Sequence, residues 1–442
     1  MYKKLYNLPL KLQKRGFYYG WVVLLSGTLG IIMSVPGQTM GVSVYTDSLI
    51  EALGIDRTRL SLVYMLGTIG SALLLPFAGR ILDKVGARVL AGTATLALAG
   101  FLTLLGISPY AISFLHKFSG VSQEWVAMLV IFSCFLGIRH FGQGQLTMAS
   151  RTMMGLWFER KRGLMLGLSG VFVAFGFGIA PLALNKLIES FGWSHSLLVL
   201  ASLSIGMSIF AWLFFRRSPE HCGLVIDGGI LDKEAPALDK PLVDQKSFTA
   251  KQAKATYTFW VFNFAMVGQA LLITAVTFHI SNIARYNGID SAHAFSIFLP
   301  LSIVSICADL GGGFLSDRVP LKYLLATKQL GLILGLGGVA FLNTKLGFGL
   351  TAFGLGLSSG LFALLHGAAW PKLFGRAHLG SISGAVMSWI VLGSAVGPYI
   401  FSLGQEGEGN YKYILFLSML YPALVMLASF FANPPKLSTV KQ

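Results

Sequence analysis

The chain alternates between long apolar stretches and short polar segments over its whole length. A helix that crosses a bilayer needs about 20 mostly apolar residues, and twelve stretches of the chain reach that length. They cover roughly residues 18–44, 59–80, 88–107, 126–150, 163–187, 195–215, 257–283, 293–315, 322–343, 347–371, 380–403 and 411–432. The pattern predicts an all-α membrane protein with twelve transmembrane helices.

The longest polar segment covers residues 216–256 and divides the predicted spans into six and six. It carries three prolines, mixed charge and little apolar periodicity, which is typical of a linker. We therefore expect an N-terminal six-helix bundle at 1–215, a cytoplasmic linker at 216–256 and a C-terminal six-helix bundle at 257–442.

Composition and charge support a lipid environment. Hydrophobic residues make up 54% of the chain and charged residues only 12%, against about a quarter in soluble domains. The net charge of +16 follows membrane orientation and does not indicate nucleic-acid binding. With both termini in the cytoplasm, the inside segments hold 26 Lys and Arg and the outside segments 7, which satisfies the positive-inside rule. This predicts a multi-pass protein of the cell (inner) membrane.

The N-terminal apolar stretch follows a basic lead, as in a signal peptide. It is of full spanning length and lacks a small-residue cleavage site, so we expect it to be retained as the first span.

Motifs of catalysis and cofactor binding do not occur in the sequence. The three cysteines show no metal or disulfide spacing, and neither a P-loop nor a Gly-x-Ser-x-Gly elbow is present. We expect no metal, no cofactor and no enzymatic activity.

An internal repeat relates the two halves. Gly79 and Asp83 follow the second span in a Gly-x-x-x-Asp pattern with a basic residue after it, and Gly313 and Asp317 follow the eighth at an offset of 234. A second set lies at an offset of 217: Gly163, Gly167 and the run 176–181 recur as Gly380, Gly384 and the run 393–398. The difference of 17 residues predicts an insertion in the first half, which the outside loop at 108–125 supplies.

These motifs carry a family resemblance over the whole chain. The segment Gly79–Arg88 resembles the loop signature after helix two of the major facilitator superfamily, and the run 176–181 resembles its helix-five Gly-Pro motif. Three shorter strings are similar to its monocarboxylate porter and oxalate–formate antiporter branch: Tyr18-Tyr19-Gly20-Trp21, Trp157-Phe158-x-x-x-Arg162-Gly163 and Phe374-Gly375-Arg376-x-His378-Leu379-Gly380.

The resemblance implies two pseudo-symmetric six-helix bundles around a cavity lined by helices one, four, seven and ten, and a working monomer. Asp83 would latch the cytoplasmic side by capping a neighbouring helix or pairing with an arginine, and Asp317 would do the same in the other half. The basic residues of the two motifs, Arg88 and Arg318, belong to the same predicted gate. The alternative for both acids is a capped, solvated turn.

Charges inside the predicted spans point to function, because they are costly there and usually face an aqueous cavity. Only Arg139 in span four and Asp309 in span eight lie well inside. Lys186 and Lys328 lie nearer to helix ends, and we expect their ammonium groups to reach water.

Arg139 is the strongest candidate for substrate binding, because a guanidinium can bind a carboxylate through two parallel hydrogen bonds. The alternative is a structural ion pair. Gln143 lies one turn further on the same face and could share the substrate. His140 points about 100° away and is either a ligand or a buried neutral histidine.

Asp309 is the candidate for coupling. Burial disfavours the ionised form of a carboxylate, so Asp309 could carry a proton, or it could be a fixed counter-ion to Arg139. The resembling branch typically has a substrate arginine in helix eight, and the matching position, counted back from Gly313, is Asp309. Either Arg139 forms the anion site, or the solute is zwitterionic, cationic or neutral.

Five further polar or aromatic residues lie on helices that the resemblance places around the cavity. They are Gln38, just after the Pro36-Gly37 break, Gln269 and His279 in span seven, and His366 and Trp370 in span ten. Each is either a substrate contact or an interhelical hydrogen-bonding group. The sequence thus predicts a secondary active transporter of a small organic solute, with a carboxylate as the expected class, coupled to a proton or a counter-anion. The alternative is a transporter of a zwitterion or a larger amphiphile such as an amino acid, siderophore or drug.

Overall fold

The computed structural model describes residues 8–55, 57–160, 162–228, 247–289, 296–408 and 411–435, and its regular elements are helices. The first half contains α1 (Leu8–Lys14), α2 (Gly20–Ile32), α3 (Thr39–Ser43), α4 (Thr46–Leu53), α5 (Arg57–Gly106), α6 (Ser108–Ser119), α7 (Gln123–Ile138), α8 (Thr147–Trp157) and α9 (Arg162–Phe214). The second half contains α10 (Ala250–Lys254), α11 (Tyr257–Tyr286), α12 (Phe298–Ser316), α13 (Leu321–Ala340), α14 (Lys345–Phe374), α15 (Leu379–Glu408) and α16 (Lys412–Ser429).

Ten stretches of the described chain are long and apolar enough to cross a membrane, which confirms the all-α membrane fold. Two of them hold two predicted spans each. α5 and α9 run for 50 and 53 residues, with a non-helical glycine inside each, at Gly86 (φ 80°) and Gly192 (φ 77°). Glycine adopts positive φ without steric cost, so each position allows a kink between two predicted spans.

The outside insertion is not the loop that the sequence predicted. Residues Ser108–Ser119 form α6, with proline in its first turn and Gly120 at φ 64° after its last residue. Pro109 suits a helix N-terminus because its missing N–H would have no partner there. The insertion therefore adds a short helix between the third and fourth predicted spans.

The described chain divides into two compact units. The N-terminal unit comprises residues 1–157, 175–238 and 383–388, and the C-terminal unit comprises 158–174, 239–382 and 389–442. Each has its own apolar core, which includes Leu98 and Phe135 in the first unit and Leu332 and Leu336 in the second. Many large apolar side chains are exposed on the outer faces, as lipid contact requires.

Glycine packing is densest in the C-terminal unit, between α13 and α14. A side chain on Gly331 would lie 2.9 Å from the Gly354 carbonyl oxygen, and one on Gly338 would lie 2.5 Å from the Thr351 nitrogen. In lipid, helix association depends on such close approach. The glycines of this pair therefore set the distance between the two helices.

Candidate functional site

The first predicted span breaks at Pro36. α2 ends at Ile32, a 3₁₀ turn covers Val35–Gly37, and α3 begins at Thr39. Proline cannot donate to the helical ladder, so carbonyl oxygens at the break are free to accept from side chains.

The fourth predicted span widens into a π-helix over Arg139–Leu146. This conformation is rare in proteins overall, and where it occurs it is often at a functional site. The π-helix meets the break through two glycines of the N-terminal unit. A side chain on Gly37 would lie 2.5 Å from the Gln143 nitrogen, and one on Gly142 would lie 2.9 Å from the Gly37 Cα. The two irregular backbones touch because neither glycine has a side chain.

Arg139 occupies this junction and is only 1% exposed. Its Nη1 donates to the Gly37 carbonyl oxygen at 3.0 Å and to Thr39 Oγ1 at 3.3 Å. Its guanidinium lies 5.3 Å from the centre of the Tyr64 ring, and the Tyr64 hydroxyl donates to Thr39 Oγ1 at 3.1 Å. The break in span one and the π-helix in span four thus fix one guanidinium between them.

Within its unit, Arg139 is bound by a carbonyl, a hydroxyl and a ring, none of which is anionic. Its Nε is buried and has no acceptor among the described residues. A buried charge without a partner is costly, and guanidinium donors fit a planar anion. The geometry therefore suits an incoming carboxylate or sulfonate.

The other predicted residues of this unit divide into bonded and available groups. Gln38 Nε2 donates to Ser34 Oγ at 3.0 Å. His140 Nε2 lies 2.9 Å from Gln145 Nε2, so the imidazole is engaged by a side chain of the same π-helix. Gln143 Oε1 is buried without a partner among the described residues, which leaves it available one turn from Arg139.

Asp309 is 4% exposed and lies against the first part of α9. A side chain on Gly170 would overlap the carboxylate, and one on Gly167 would lie 3.0 Å from the Asp309 carbonyl oxygen. On the other side, a side chain on Gly360 of α14 would lie 2.9 Å from the Asp309 nitrogen. Glycines therefore enclose Asp309 from two neighbouring helices.

Two predicted substrate residues of α11 make interhelical hydrogen bonds. Gln269 Nε2 donates to Ser359 Oγ at 3.2 Å, and Ser358 Oγ donates to Gln269 Oε1 at 2.6 Å. His279 lies 3.0 Å from the Pro398 carbonyl oxygen through Nε2 and 2.8 Å from the Tyr411 hydroxyl through Nδ1. Both side chains join α11 to other helices of the C-terminal unit.

His366 and Trp370 lie one turn apart on α14, within an aromatic group. The His366 ring lies 5.5 Å from that of Phe362, and the Trp370 ring lies 5.7 Å from that of Phe259. Trp370 is 1% exposed and its Nε1 has no acceptor in the described part of the chain.

The residues predicted to gate lie at or near the ends of predicted spans. Asp317 Oδ1 accepts from the Gly163 nitrogen at 3.3 Å, at the N-terminus of α9, and the Arg318 guanidinium lies 3.3 Å from the centre of the Phe314 ring. In the N-terminal unit the Asp83 carbonyl oxygen accepts from Arg217 Nη2 at 2.8 Å.

Arg88, the remaining predicted gate residue, is anchored to the end of α9. Its Nε donates to the Trp212 carbonyl oxygen at 2.7 Å, and its guanidinium lies 5.9 Å from the Trp212 ring. The signature after the second span is therefore attached to the sixth.

The expectation that the Lys328 ammonium reaches water is wrong. Lys328 is 0% exposed, and its Nζ donates to the Ala265 carbonyl oxygen at 2.9 Å and to Gln329 Oε1 at 3.0 Å. It lies seven residues after the start of α13 at Leu321, about 10 Å along the axis. That depth was the signal in the sequence that could have identified it as a buried charge.

Comparisons with known proteins agree with this architecture. The family model described as Major Facilitator Superfamily matches residues 27–398. The chain is 23% identical over 417 residues to the probable sulfoacetate transporter SauU of Cupriavidus necator, covering 89% of this chain and 90% of that protein. It is 25% identical over 356 residues to mouse monocarboxylate transporter 11, covering 76% of this chain and 70% of the other.

Solved structures share the fold at low sequence identity. The Escherichia coli fucose:proton symporter FucP matches with a TM-score of 0.65 at 16% identity, over 94% of this chain and all of that chain. The proton:xylose symporter XylE matches with a TM-score of 0.69 at 13% identity, over 95% and 96%. The predicted fold and the resemblance to the monocarboxylate porter branch are thereby confirmed.

Proposed function

The chain belongs to the Major Facilitator Superfamily and is a multi-pass membrane transporter, not an enzyme; on that premise we propose that it is a secondary active transporter of a small organic anion. The solute carries a carboxylate or a sulfonate and crosses the membrane by alternating access. The moving parts are the two six-helix bundles, residues 1–215 and 257–442, joined by the linker at 216–256.

One observation carries the proposal. Arg139 is buried at the junction of a broken helix and a π-helix, bound only by neutral groups within its unit, with Nε lacking an acceptor in the described part of the chain. An arrangement of this kind favours an anion, because the anion supplies the charge and the acceptors that the site lacks. Gln143 Oε1, buried without a partner among the same described residues, would orient a protonated group of the solute.

The relatives support the same class of solute. SauU is described as a probable sulfoacetate transporter, and the mouse relative as a monocarboxylate transporter. Sulfoacetate carries a carboxylate and a sulfonate, both of which present paired oxygens to a guanidinium. We take sulfoacetate as the first probe and lactate as the second.

Coupling, orientation and gating complete the proposal. Transport is driven by a proton or by exchange with a counter-anion, and the protein works as a monomer. It lies in the inner membrane with both termini on the cytoplasmic side. Asp317, which caps α9 at Gly163, latches the cytoplasmic side, and Arg318, Asp83 and Arg88 belong to the same gate.

The experiment is a thermal-shift titration of the purified protein at acidic and neutral pH. The panel contains sulfoacetate, lactate, the zwitterion glycine betaine and the cation choline. A ligand that binds the folded state raises its unfolding temperature by mass action. Stabilisation by sulfoacetate or lactate that disappears in Arg139→Gln is the expected result. Stabilisation by betaine or choline alone would contradict anion transport and favour the zwitterionic or cationic alternative.

A further inference from the structure

Lys328 is a buried titratable group that the anion site does not use. It lies on α13 of the C-terminal unit with no exposed surface, and its Nζ reaches the carbonyl oxygen of Ala265 on α11. The lysine side chain therefore reaches from α13 to α11, one of the predicted cavity helices.

The hydrogen bonds of Nζ match an uncharged amine. It donates to two acceptors, the Ala265 carbonyl and Gln329 Oε1, both of them neutral. An ammonium has three N–H donors, whereas an amine has two. An ammonium here would leave a donor and a full charge without a partner among the described residues, which burial makes costly.

The helices packed against α13 bring no described acid to Nζ. From α16, the Tyr421 hydroxyl donates to the Phe264 carbonyl oxygen at 2.8 Å, next to the carbonyl that Lys328 uses. On α12, Asp317 bonds to the α9 N-terminus and the Asp309 carboxylate lies against Gly170 of α9.

α14 contributes three basic groups and α11 two, and among the described residues none of them bonds to Lys328. They are Lys345, His366 and Lys372 on α14 and His279 and Arg285 on α11, which also carries the tyrosines Tyr257 and Tyr286. His366 lies against Phe362, His279 bonds to Tyr411, and Lys372 bonds to the Ser316 carbonyl. The local chemistry at Nζ is therefore that of neutral carbonyl, amide and phenol groups.

The same helix connects Lys328 to the polar interior of the unit. Ala265 and Gln269 are four residues apart and so lie on one face of α11. Gln269 bonds to Ser358 and Ser359 of α14. A displacement of α11 that releases Gln269 would also take the Ala265 carbonyl away from Nζ and admit water to the amine.

We propose that Lys328 carries the coupling proton of the transport cycle, a role that rests on the proposed function. In the conformation described, Nζ is the unprotonated amine. When α11 moves, the site opens to water on one side of the membrane, and the nitrogen lone pair accepts a proton from a hydronium ion there, which leaves ammonium and water. The ammonium gives that proton to water on the other side as the conformational change is completed, and α11 then returns over the neutral amine. One proton thus crosses the membrane in each cycle, and the cation exists only while the site is open to water.

The test uses proteoliposomes with radiolabelled sulfoacetate and two assays. Accumulation driven by a pH gradient requires proton movement, and counterflow exchange at equal pH does not. Lys328→Gln has no titrating group and no charge, so it should lose accumulation and keep counterflow. Lys328→Arg cannot lose its proton, so α11 cannot return and this variant should lose both. The matched control is Lys322→Gln, because Lys322 is a half-buried lysine at the start of the same helix and bonds to Asn433 Oδ1; it should behave as wild type.

A second measurement does not depend on transport. In protein labelled with ¹⁵N at lysine Nζ, the neutral-pH spectrum should contain an amine signal that disappears in Lys328→Arg. Accumulation by Lys328→Gln at the wild-type level, or ammonium signals from every lysine, would overturn the proposal. Loss of both accumulation and counterflow in Lys328→Gln would show a structural role and overturn it as well, and so would counterflow at the wild-type rate in Lys328→Arg. Wild-type liposomes that neither exchange nor accumulate sulfoacetate, with the amine signal present, would instead refute the proposed solute.

Discussion

The Arg139 guanidinium donates to the Gly37 carbonyl oxygen at 3.0 Å. This hydrogen bond joins two departures from regular helix, since Gly37 ends the 3₁₀ turn of the first span and Arg139 begins the π-helix of the fourth. The carbonyl is available because the backbone is extended at Gln38 (ψ 155°) and the Gly41 N–H bonds to the Gln38 carbonyl oxygen instead. The backbones are close because Gly37 and Gly142 have no side chains. The candidate anion site thus depends on backbone geometry as much as on the charge.

Replacing Arg139 should remove anion binding. A hydrogen bond to a charged group contributes about 1.5–3 kcal/mol, so Arg139→Gln should weaken sulfoacetate binding by about one to two powers of ten. Arg139→Lys keeps the charge and loses the planar fork, so its affinity for sulfoacetate should lie between those of wild type and Arg139→Gln. Isothermal titration of the purified variants measures both.

Arg285→Gln is the matched control, because Arg285 is an exposed arginine near the end of α11. It should bind sulfoacetate as wild type does. Equal affinity in wild type and Arg139→Gln would remove Arg139 from the site.

The contact between the broken helix and the π-helix predicts a sensitive glycine. In Gly37→Ala the new methyl group would lie 2.5 Å from the Gln143 backbone nitrogen, and a backbone atom can yield only by moving its helix. Overpacking of this kind costs about 1–3 kcal/mol. We expect a lower unfolding temperature and weaker sulfoacetate binding. Gly100→Ala on α5, where a side chain meets nothing within 4 Å, should change neither, and equal effects of the two variants would contradict the packing argument.

The internal repeat could be predicted from sequence because it recurs as a packing motif. Gly167 and Gly384 are related by the offset of 217, and the residues they contact, Asp309 and Leu75, by the offset of 234. A side chain on Gly167 would lie 3.0 Å from the Asp309 carbonyl oxygen, and one on Gly384 would lie 2.7 Å from that of Leu75. The two offsets therefore relate two equivalent glycine–carbonyl contacts, one in each unit, and glycine is required at both Gly167 and Gly384.

Other features depend on packing that a linear pattern does not contain. Apolar length and loop charge indicated the spans, yet the pairing of His140 with Gln145 arises because the π-helix turns residues five apart towards each other. The burial of Lys328 depends on a carbonyl of α11, 63 residues away. The helix at 108–119 replaced an expected loop, because polar residues between its apolar positions concealed a helical segment.

The position of Asp309 against Gly170 predicts a coupled pair. A methyl group in Gly170→Ala would overlap the Asp309 carboxylate, so this variant should lower the unfolding temperature. Asp309→Ala removes the carboxylate that the new methyl group would overlap. The double variant should therefore be more stable than the sum of the two single effects predicts. Contacting residues typically show interaction energies of about 0.5–3 kcal/mol in such cycles. Gly178→Ala on the same helix, which meets nothing within 4 Å, serves as the control, and additive effects would show that the two groups do not touch.

Cys222 offers a test of the orientation that the loop charges predict. It lies in the 3₁₀ turn after α9, and burial raises the pKa of its thiol to about 11. Maleimides react with the thiolate, so the raised pKa of Cys222 slows labelling at neutral pH. The labelling rate should keep rising as the pH approaches that pKa. At mildly alkaline pH the thiolate fraction should be about a hundredfold below that of an ordinary cysteine.

In a Cys134→Ala, Cys307→Ala background, a membrane-impermeant maleimide should label Cys222 slowly in inside-out vesicles and not in right-side-out vesicles. The denatured protein should react at the ordinary rate from either preparation. Labelling from right-side-out vesicles would place the turn after the sixth span outside the cell, and since 26 of the 34 basic residues were assigned on the opposite assumption, the whole predicted topology would have to be inverted.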